Sequence, residues 1–362
     1  MDSLIMERSY DMNRDRKTLV SIVVPCFNEE EVLPIYIHAM EKIIKEMKTA
    51  EVEIIFVDDG STDRTAEILG QFHKKRNSYR YLSFSRNFGK EAAMYAGMQA
   101  ARGEYVAVMD ADLQDPPEYI PLMLQTLKKG EYDCVATRRE DRDGEARIRS
   151  CLSGAFYKCI NRLSKVKIEE GARDFRMMNR KMTDAILSLG ERNRFSKGLF
   201  GWVGFKTKWL PYHNVERAAG DTKWSIGKLF RYSLDGILGF STIPLSVASY
   251  GGIFFCGAAF VMMLFLVIKN IFWHDPVAGW PAMMCVIFLI GGIQLLCLGI
   301  IGQYLARAYM EIKHRPIYLL RSSSDEEDQM QGQKENLISL DTYSDTSHSI
   351  PSENKRRIPG RI

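Results

Sequence analysis

Two stretches near the C-terminal end of the chain carry no charged residue: IPLSVASYGGIFFCGAAFVMMLFLVI (residues 243–268) and GWPAMMCVIFLIGGIQLLCLGIIGQYLA (residues 279–306). Each exceeds the roughly 20 apolar residues that cross a bilayer core. The connector KNIFWHDPVA is short, so the two runs read as a membrane hairpin. Lys223, Lys228 and Arg231 precede it, and Arg307, Lys313 and Arg315 follow it. That bias places both ends, and the domain before them, on the cytoplasmic side of the membrane. A multi-pass protein of the plasma membrane is expected.

The chain before the hairpin has a different rhythm. Short apolar runs alternate with amphipathic stretches over residues 19–215. LVSIVVP, EVEIIFVDD, YRYLSFS, EYVAVMDAD and YDCVATRR read as strands. EEEVLPIYIHAMEKIIKEM, STDRTAEILGQFHKK and KEAAMYAGMQAA read as helices between them. This alternation predicts an α/β domain with a mostly parallel, Rossmann-like sheet covered on both faces. Ligands of such sheets bind beyond the carboxyl ends of the strands. Pro25–Glu29, Asp58–Asp59, Asp110–Asp112 and Thr137–Arg138 all fall at those ends and are expected to converge. Residues 144–239 read as basic and helix-rich.

The flanking segments complete the organisation. Residues 1–18 form an N-terminal extension without the apolar core of a signal peptide. Residues 216–242, mixing lysines with Trp224, Leu229 and Phe230, read as an interfacial amphipathic segment. Residues 307–320 read as a second one, and residues 321–362 as a disordered, Ser-rich polar tail. The seven cysteines include no C-x-x-C pair, so metal and disulfide frameworks are not expected. The formal net charge of +4 is small and does not point to nucleic acid.

VMDADLQDPPE holds the densest chemistry. Asp115 followed by Pro116 has the pattern of a helix N-cap with proline at the first helical position. That leaves Asp110 and Asp112, two carboxylates at a strand end. Together with the Gln114 amide oxygen, they suit a hard divalent cation that also grips a diphosphate. In VDDGSTD, Ser61 or Thr62 is the expected cap, and the neighbouring carboxylate can accept hydrogen bonds from a nucleobase. No G-x-G-x-x-G follows the first strand, which disfavours a dinucleotide dehydrogenase.

The ordered series VPCFNEEE, VDDGSTDRT, SRNFGKEAAMYAGMQAARGEY, VMDADLQDPPE, GARDFRMMNRK, ERNRFSKGLFGWVGFK and ERAAGDTKWS resembles the family 2 glycosyltransferases of GT-A fold. It is most similar to the polyprenyl-phosphate branch, relatives of dolichol-phosphate mannose synthase and of bacterial undecaprenyl-phosphate sugar transferases. The resemblance covers about residues 19–318. It implies that Pro25, Phe27 and Glu29 line the nucleotide pocket and that Val57 and Asp59 contact the base. It assigns Asp110, Ala111 and Asp112 to the donor diphosphate and its Mg²⁺ or Mn²⁺, with Gln114 as a further metal contact. Arg138 falls in the phosphate region, Arg149 and Ser153 receive the lipid phosphate, and Arg217 and Lys223 close over the phosphates.

The implied reaction moves a hexose from a nucleotide-diphosphate sugar to polyprenyl (undecaprenyl) phosphate with inversion. UDP-glucose is the expected donor, with UDP-N-acetylglucosamine and GDP-mannose as alternatives; a homotetramer is implied by resemblance alone. Asp174 is the residue usually cast as base. A phosphate monoester has a second pKa of about 6 and is already ionised near neutrality, so it needs positioning more than deprotonation. Asp174 is therefore open to a second reading, as an acid paired with Arg173 or Arg176. A processive polysaccharide synthase would carry Q-x-x-R-W and more membrane spans, and neither is present. A catalytically inactive membrane adaptor would not need the carboxylates.

Overall fold

The computed structural model describes residues 17–139, 161, 169, 171–212, 243–272 and 280–329. Eight strands make one sheet: β1 (Thr18–Cys26), β2 (Ala50–Asp58), β3 (Tyr79–Phe84), β4 (Tyr105–Val108), β5 (Cys134–Arg139), β6 (Ala172–Asn179), β7 (Thr207–Tyr212) and β8 (Leu320–Ser323). Their order is β7-β5-β6-β4-β1-β2-β3-β8. β1 pairs in parallel with β2 and β4, β2 with β3, and β5 with β7. β6 runs against both β4 and β5, and β8 runs against β3. The mostly parallel α/β sheet is as expected.

Both faces of the sheet are covered, which is why its strands read as continuous Val/Ile runs. Val20, Ile22 and Val24 of β1, with Ile54 and Phe56 of β2, pack under α1 (Leu33–Glu46) and α4 (Tyr119–Lys128). Between these helices in the chain lies α2 (Thr65–Lys75), which packs on β2 and β3. Val23, Ile55, Val57 and Val108 face the other way, against α3 (Lys90–Ala100). α3 presents Ala92, Ala93, Ala96 and Gly97 to the sheet and so lies close to it. α5 (Arg180–Ser188) and α6 (Ser196–Trp202) complete that layer.

Three local expectations are corrected. The stretch 144–239 is not simply helix-rich, because it contributes β6 and β7. Asp115 is not a helix cap: α4 begins four residues later, its capping residue is Glu118, and no side chain caps it. Ser61 and Thr62 do not cap α2, whose capping residue is Arg64. The Ser61 hydroxyl instead accepts from the Asn28 amide at 2.9 Å.

Beyond the sheet, α7 (Ile243–Phe272) and α8 (Trp280–Ile312) are both long and apolar enough to span a membrane. Phe254 is 69% exposed and Leu295 71%, a degree of apolar exposure that water-facing surfaces avoid. The expected interfacial segment 216–242 lies outside the described residues.

After α8 the chain returns to the sheet. Tyr318 stacks on Phe84 with ring centroids 4.9 Å apart, and Leu320–Ser323 then adds β8 to the β3 edge. The first residues of the segment expected as a disordered tail are therefore part of the sheet. Asp325 reaches Arg80, Glu327 accepts from the Tyr81 hydroxyl, and Asp328 meets His73. Backbone pairing of this kind asks little of side-chain hydrophobicity, so a polar sequence can supply it.

Candidate active site

The carboxyl ends of β1, β2 and β4 gather on one edge. Cys26 pairs with Asp58 in register, and the Asp59 amide donates to the Cys26 carbonyl at 2.9 Å. The loops that follow are stitched together. Asn28 Oδ1 accepts from the Thr62 amide, the Glu29 amide donates to Thr65 Oγ1, and Asp63 accepts from the Glu30 amide. Asn28 itself adopts a positive φ of 53°. Pro25, Phe27 and Glu29 thus sit half-buried beside the end of β2. The Val57 side chain is fully buried in the core, so only its backbone is placed to meet a ligand.

The two acids after β2 have structural partners. Asp58 Oδ2 accepts from the Ser83 hydroxyl at 2.7 Å, and Oδ1 from the Ser61 amide at 2.9 Å. Asp59 accepts from the Phe88 amide at 2.6 Å and from the Gly89 amide at 2.9 Å. Burial pushes Asp59 up to about 6, with those two amides pulling the other way. Asp59 therefore shapes the turn that starts α3. Gly89 sits in that turn at φ 100°, a conformation that favours glycine.

That turn delivers a residue the sequence reading did not single out. Lys90, the first residue of α3, places Nζ 2.7 Å from Asp110 Oδ1 and 2.6 Å from Asp174 Oδ2. The sheet explains the meeting: β6 opposes β4 with Val108 facing Arg176, and the same register brings Asp174 toward Asp110. Burial works against a charged lysine, but the two carboxylates outweigh it and hold the ammonium above its ordinary range. Burial would likewise raise Asp174, yet Lys90, with Lys197 and Arg176 beside it, outweighs burial and holds this carboxyl well below the usual range. Neither Arg173 nor Arg176 is the ion-pair partner of Asp174. Arg176 donates instead to the Arg173 and Asp174 carbonyls and lies over the Phe200 ring at 3.6 Å.

The loop after β4 is held from below. Arg173 donates from Nη2 to Gln114 Oε1 at 3.1 Å and from Nε to Asp115 Oδ1 at 3.3 Å. The Tyr212 hydroxyl donates to the same Asp115 oxygen at 2.6 Å. Burial raises the Asp115 carboxyl, and Arg173 opposes the rise. Asp115 Oδ2 has no hydrogen-bond partner among the described residues. Within the loop, Leu113 adopts a positive φ of 54°, and the Gln114 amide folds back onto Asp112 Oδ1 at 3.2 Å. Positive φ at a leucine is uncommon and marks a constrained turn.

Asp110 and Asp112 offer hard, partly exposed oxygens, which fits a Mg²⁺ or Mn²⁺ ion that keeps waters and phosphate oxygens. The described residues contain no group of three His, Cys, Asp or Glu placed to hold a metal by themselves. The Gln114 amide oxygen, the expected further metal contact, accepts one hydrogen bond from Arg173 at 3.1 Å and keeps a second lone pair. Ala111 is buried between the two acids. Arg138, at the end of β5, pairs with Glu169 at 3.0 Å. Arg149, Ser153, Arg217 and Lys223 lie outside the described residues.

One more half-buried acid belongs to this edge. Glu91 accepts from both the amide and the hydroxyl of Ser196, tying α3 to α6. Burial raises it to about 7, with Ser196 pulling down and Asp174 pushing up. A Gly-Lys-Glu at a helix start was the available signal for Lys90 and Glu91.

The model of "Glycosyl transferase family 2" matches residues 21–187. The bactoprenol glucosyl transferase of Shigella phage SfX is 41% identical over 303 residues, covering 84% of this chain and 99% of that protein.

The chain belongs to glycosyl transferase family 2.

This family 2 glycosyltransferase is also 40% identical over 302 residues to a prophage bactoprenol glucosyl transferase homolog of Escherichia coli (strain K12), covering 83% of this chain and 98% of that one. Among solved structures, glucosyl-3-phosphoglycerate synthase from Mycobacterium tuberculosis in complex with Mn²⁺ and UDP-glucose aligns with a TM-score of 0.40 and 20% identity. That alignment covers 61% of this glycosyltransferase and 77% of the synthase chain.

Proposed function

We propose that this enzyme transfers glucose from UDP-glucose to polyprenyl phosphate at the cytoplasmic face of a membrane, using Mg²⁺ or Mn²⁺. The observation that carries the reading is the identity of about 40% along nearly the whole length of proteins named for glucosyl transfer to bactoprenol. The site agrees in kind. A carboxylate edge suited to a cation-bound diphosphate lies in a chain that also carries two helices long and apolar enough for a bilayer.

The residues suggest how the work is divided. Asp110 and Asp112 would hold the divalent ion, which when bound supplies positive charge for the leaving diphosphate. The acceptor phosphate oxygen attacks the anomeric carbon in line, and one displacement inverts that centre. Asp174, held ionised below its ordinary range by Lys90, is a weak proton acceptor. It orients Lys90 and the acceptor rather than removing a proton, which a largely ionised phosphate does not need. Asp59 fixes the turn that presents Lys90, and Pro25, Phe27, Glu29 and the Val57 backbone border the nucleotide. Arg138, Arg149, Ser153, Arg217 and Lys223 are proposed to meet the phosphates, where several negative charges gather.

The test supplies purified full-length protein in detergent with undecaprenyl phosphate, Mn²⁺ and, separately, radiolabelled UDP-glucose, UDP-N-acetylglucosamine and GDP-mannose. Label in the lipid phase from UDP-glucose above the other two supports the reading. Label from one of the others corrects the donor, and label from none contradicts the reaction. For orientation, a cysteine introduced near residue 325 should resist impermeant reagents added outside intact cells.

A further inference from the structure

We infer that Lys90 is a displaceable counter-ion: its ammonium holds Asp110 and Asp174 together before substrates bind, then leaves Asp110 for substrate phosphate when the divalent cation arrives. The inference rests on the proposed reading of Asp110 and Asp112 as the cation site and gives Lys90, so far only a partner of Asp174, a role of its own.

The geometry carries it. Lys90 Nζ contacts both oxygens of Asp110, at 2.7 and 2.9 Å, and one oxygen of Asp174 at 2.6 Å. A lysine ammonium has three donors and no acceptor, so these contacts use its capacity. A divalent cation on Asp110 and Asp112 needs an Asp110 oxygen of its own. It would then share that carboxylate with an ammonium a few ångströms away, and like charges at that distance repel strongly in a partly buried site. The ammonium is the mobile partner, because it ends a flexible four-carbon stem.

Its starting point is fixed, and the four-carbon stem lets the tip swing once Asp110 releases it. The backbone at Lys90 is pinned by the Asp59 contacts to Phe88 and Gly89 and by the first turn of α3. Asp174 remains as a tether on β6. An ammonium released from Asp110 but still near Asp174 lies on the same strand-end edge as the cation carboxylates. Phosphate oxygens that arrive with the cation are the acceptors chemically suited to it. In both states Lys90 offsets part of the negative charge on this edge: that of Asp110 and Asp174 before loading, and that of the arriving phosphate afterwards.

The exchange predicts that Lys90 weakens cation binding when nucleotide is absent. Binding of Mn²⁺ to the full-length protein in detergent, followed by the free-ion paramagnetic resonance signal without nucleotide, reads this directly. Lys90→Met, which keeps length and removes charge, should bind Mn²⁺ at least about tenfold tighter than wild type. Lys90→Arg should stay near wild type. In the presence of Mn²⁺, UDP should bind Lys90→Met more weakly than wild type, a shift opposite in sign. Equal Mn²⁺ affinity in Lys90→Met and wild type overturns the inference, as does equally tight binding by the Met and Arg variants.

Wild-type protein provides a second readout that needs no variant. Reductive methylation followed by mass spectrometry should label Lys90 faster once Mn²⁺ is added and slower again once UDP-glucose joins it. Unchanged Lys90 labelling across the three conditions also overturns the inference. The two levels separate cleanly. If wild type binds Mn²⁺ with UDP but Lys90→Met binds Mn²⁺ no tighter, only the exchange fails. If no form binds Mn²⁺ with or without UDP, the cation reading of Asp110 and Asp112 fails with it.

Discussion

Arg173 Nη2 donates to Gln114 Oε1 at 3.1 Å while its Nε reaches Asp115 Oδ1 at 3.3 Å, so one guanidinium on β6 holds two successive side chains of the loop that follows Asp112. Asp115 is 1% exposed, so removing Arg173 would leave a buried carboxylate without its cation. Arg173→Ala should cost about 3 kcal/mol of stability, the usual scale for stranding one member of a buried pair. Gln114→Ala should cost less than about 1 kcal/mol, because it removes one partly exposed hydrogen bond. Urea unfolding of both variants checks the order. A Gln114→Ala protein that loses Mn²⁺ binding would place the amide in the cation's coordination shell.

Glu91 gives a pH dependence with a defined sign. Burial raises its pKa from 4.5 to about 7. A carboxyl whose folded-state pKa lies above its unfolded value favours folding when protonated. Its contribution is intact below about pH 4.5 and is lost as pH rises toward 7, where the folded group also ionises. Wild-type stability should therefore fall across that window. Glu91→Gln should show a flatter profile and exceed wild type at the upper end, measured by urea midpoints at a series of pH values. Parallel profiles would show that Glu91 does not titrate there.

Gly97 tests how closely α3 lies on the sheet. A Cβ there would overlap the Val23 side chain and come within 3.1 Å of Val57 Cγ2. Gly97→Ala should lower stability by about 1–3 kcal/mol despite the better helix propensity of alanine. A stabilised Gly97→Ala protein would mean that the helix can move outward freely. Because Val23 and Val57 lead directly into Pro25 and Asp58, the variant should also weaken UDP binding.

The return of the chain to β3 makes an asymmetric prediction. Arg80 is nearly buried between Glu53 at 3.0 Å and Asp325 at 2.8 Å, whereas the Asp325 side chain is 41% exposed. Arg80→Ala strands Glu53 and should cost about 3–5 kcal/mol. Asp325→Ala removes only the outer, solvent-screened partner and should cost less than about 1 kcal/mol. Thermal unfolding of the detergent-solubilised protein reads both. Equal losses would show that Asp325, just beyond β8, is as integral to the fold as Glu53.

What the sequence made legible follows from how local each feature is. Asp110 and Asp112 stood out because carboxylates rarely end a Val-rich strand, and the parallel order of β1, β2 and β4 put them on the expected edge. Asp115 misled because Asp-Pro-Pro is a local capping pattern, while its actual partners, Arg173 and Tyr212, are distant in sequence. Charged residues hid β6: ARDFRMMN carries Arg173, Asp174 and Arg176 in a strand with neighbours on both sides. Lys90 carried only the weak signal of a Gly-Lys-Glu helix start, for a related reason. A lysine at a helix start reads as solvated until β6 brings Asp174 opposite Asp110. β8 was hidden because LRSS pairs through its backbone.

The central claim is sugar transfer to a lipid phosphate on the Asp110–Asp112 edge, and it is tested most directly by one comparison. Purified wild type and Asp112→Asn, each in detergent with undecaprenyl phosphate, Mn²⁺ and radiolabelled UDP-glucose, are assayed for label in the lipid phase. The account expects wild type to form labelled glucosyl lipid and Asp112→Asn to form at most about a hundredth as much, with both proteins folded, since electrostatic stabilisation of a leaving group is worth that order or more. Lipid labelling by Asp112→Asn at the wild-type rate, or no labelled lipid from wild type, would contradict it.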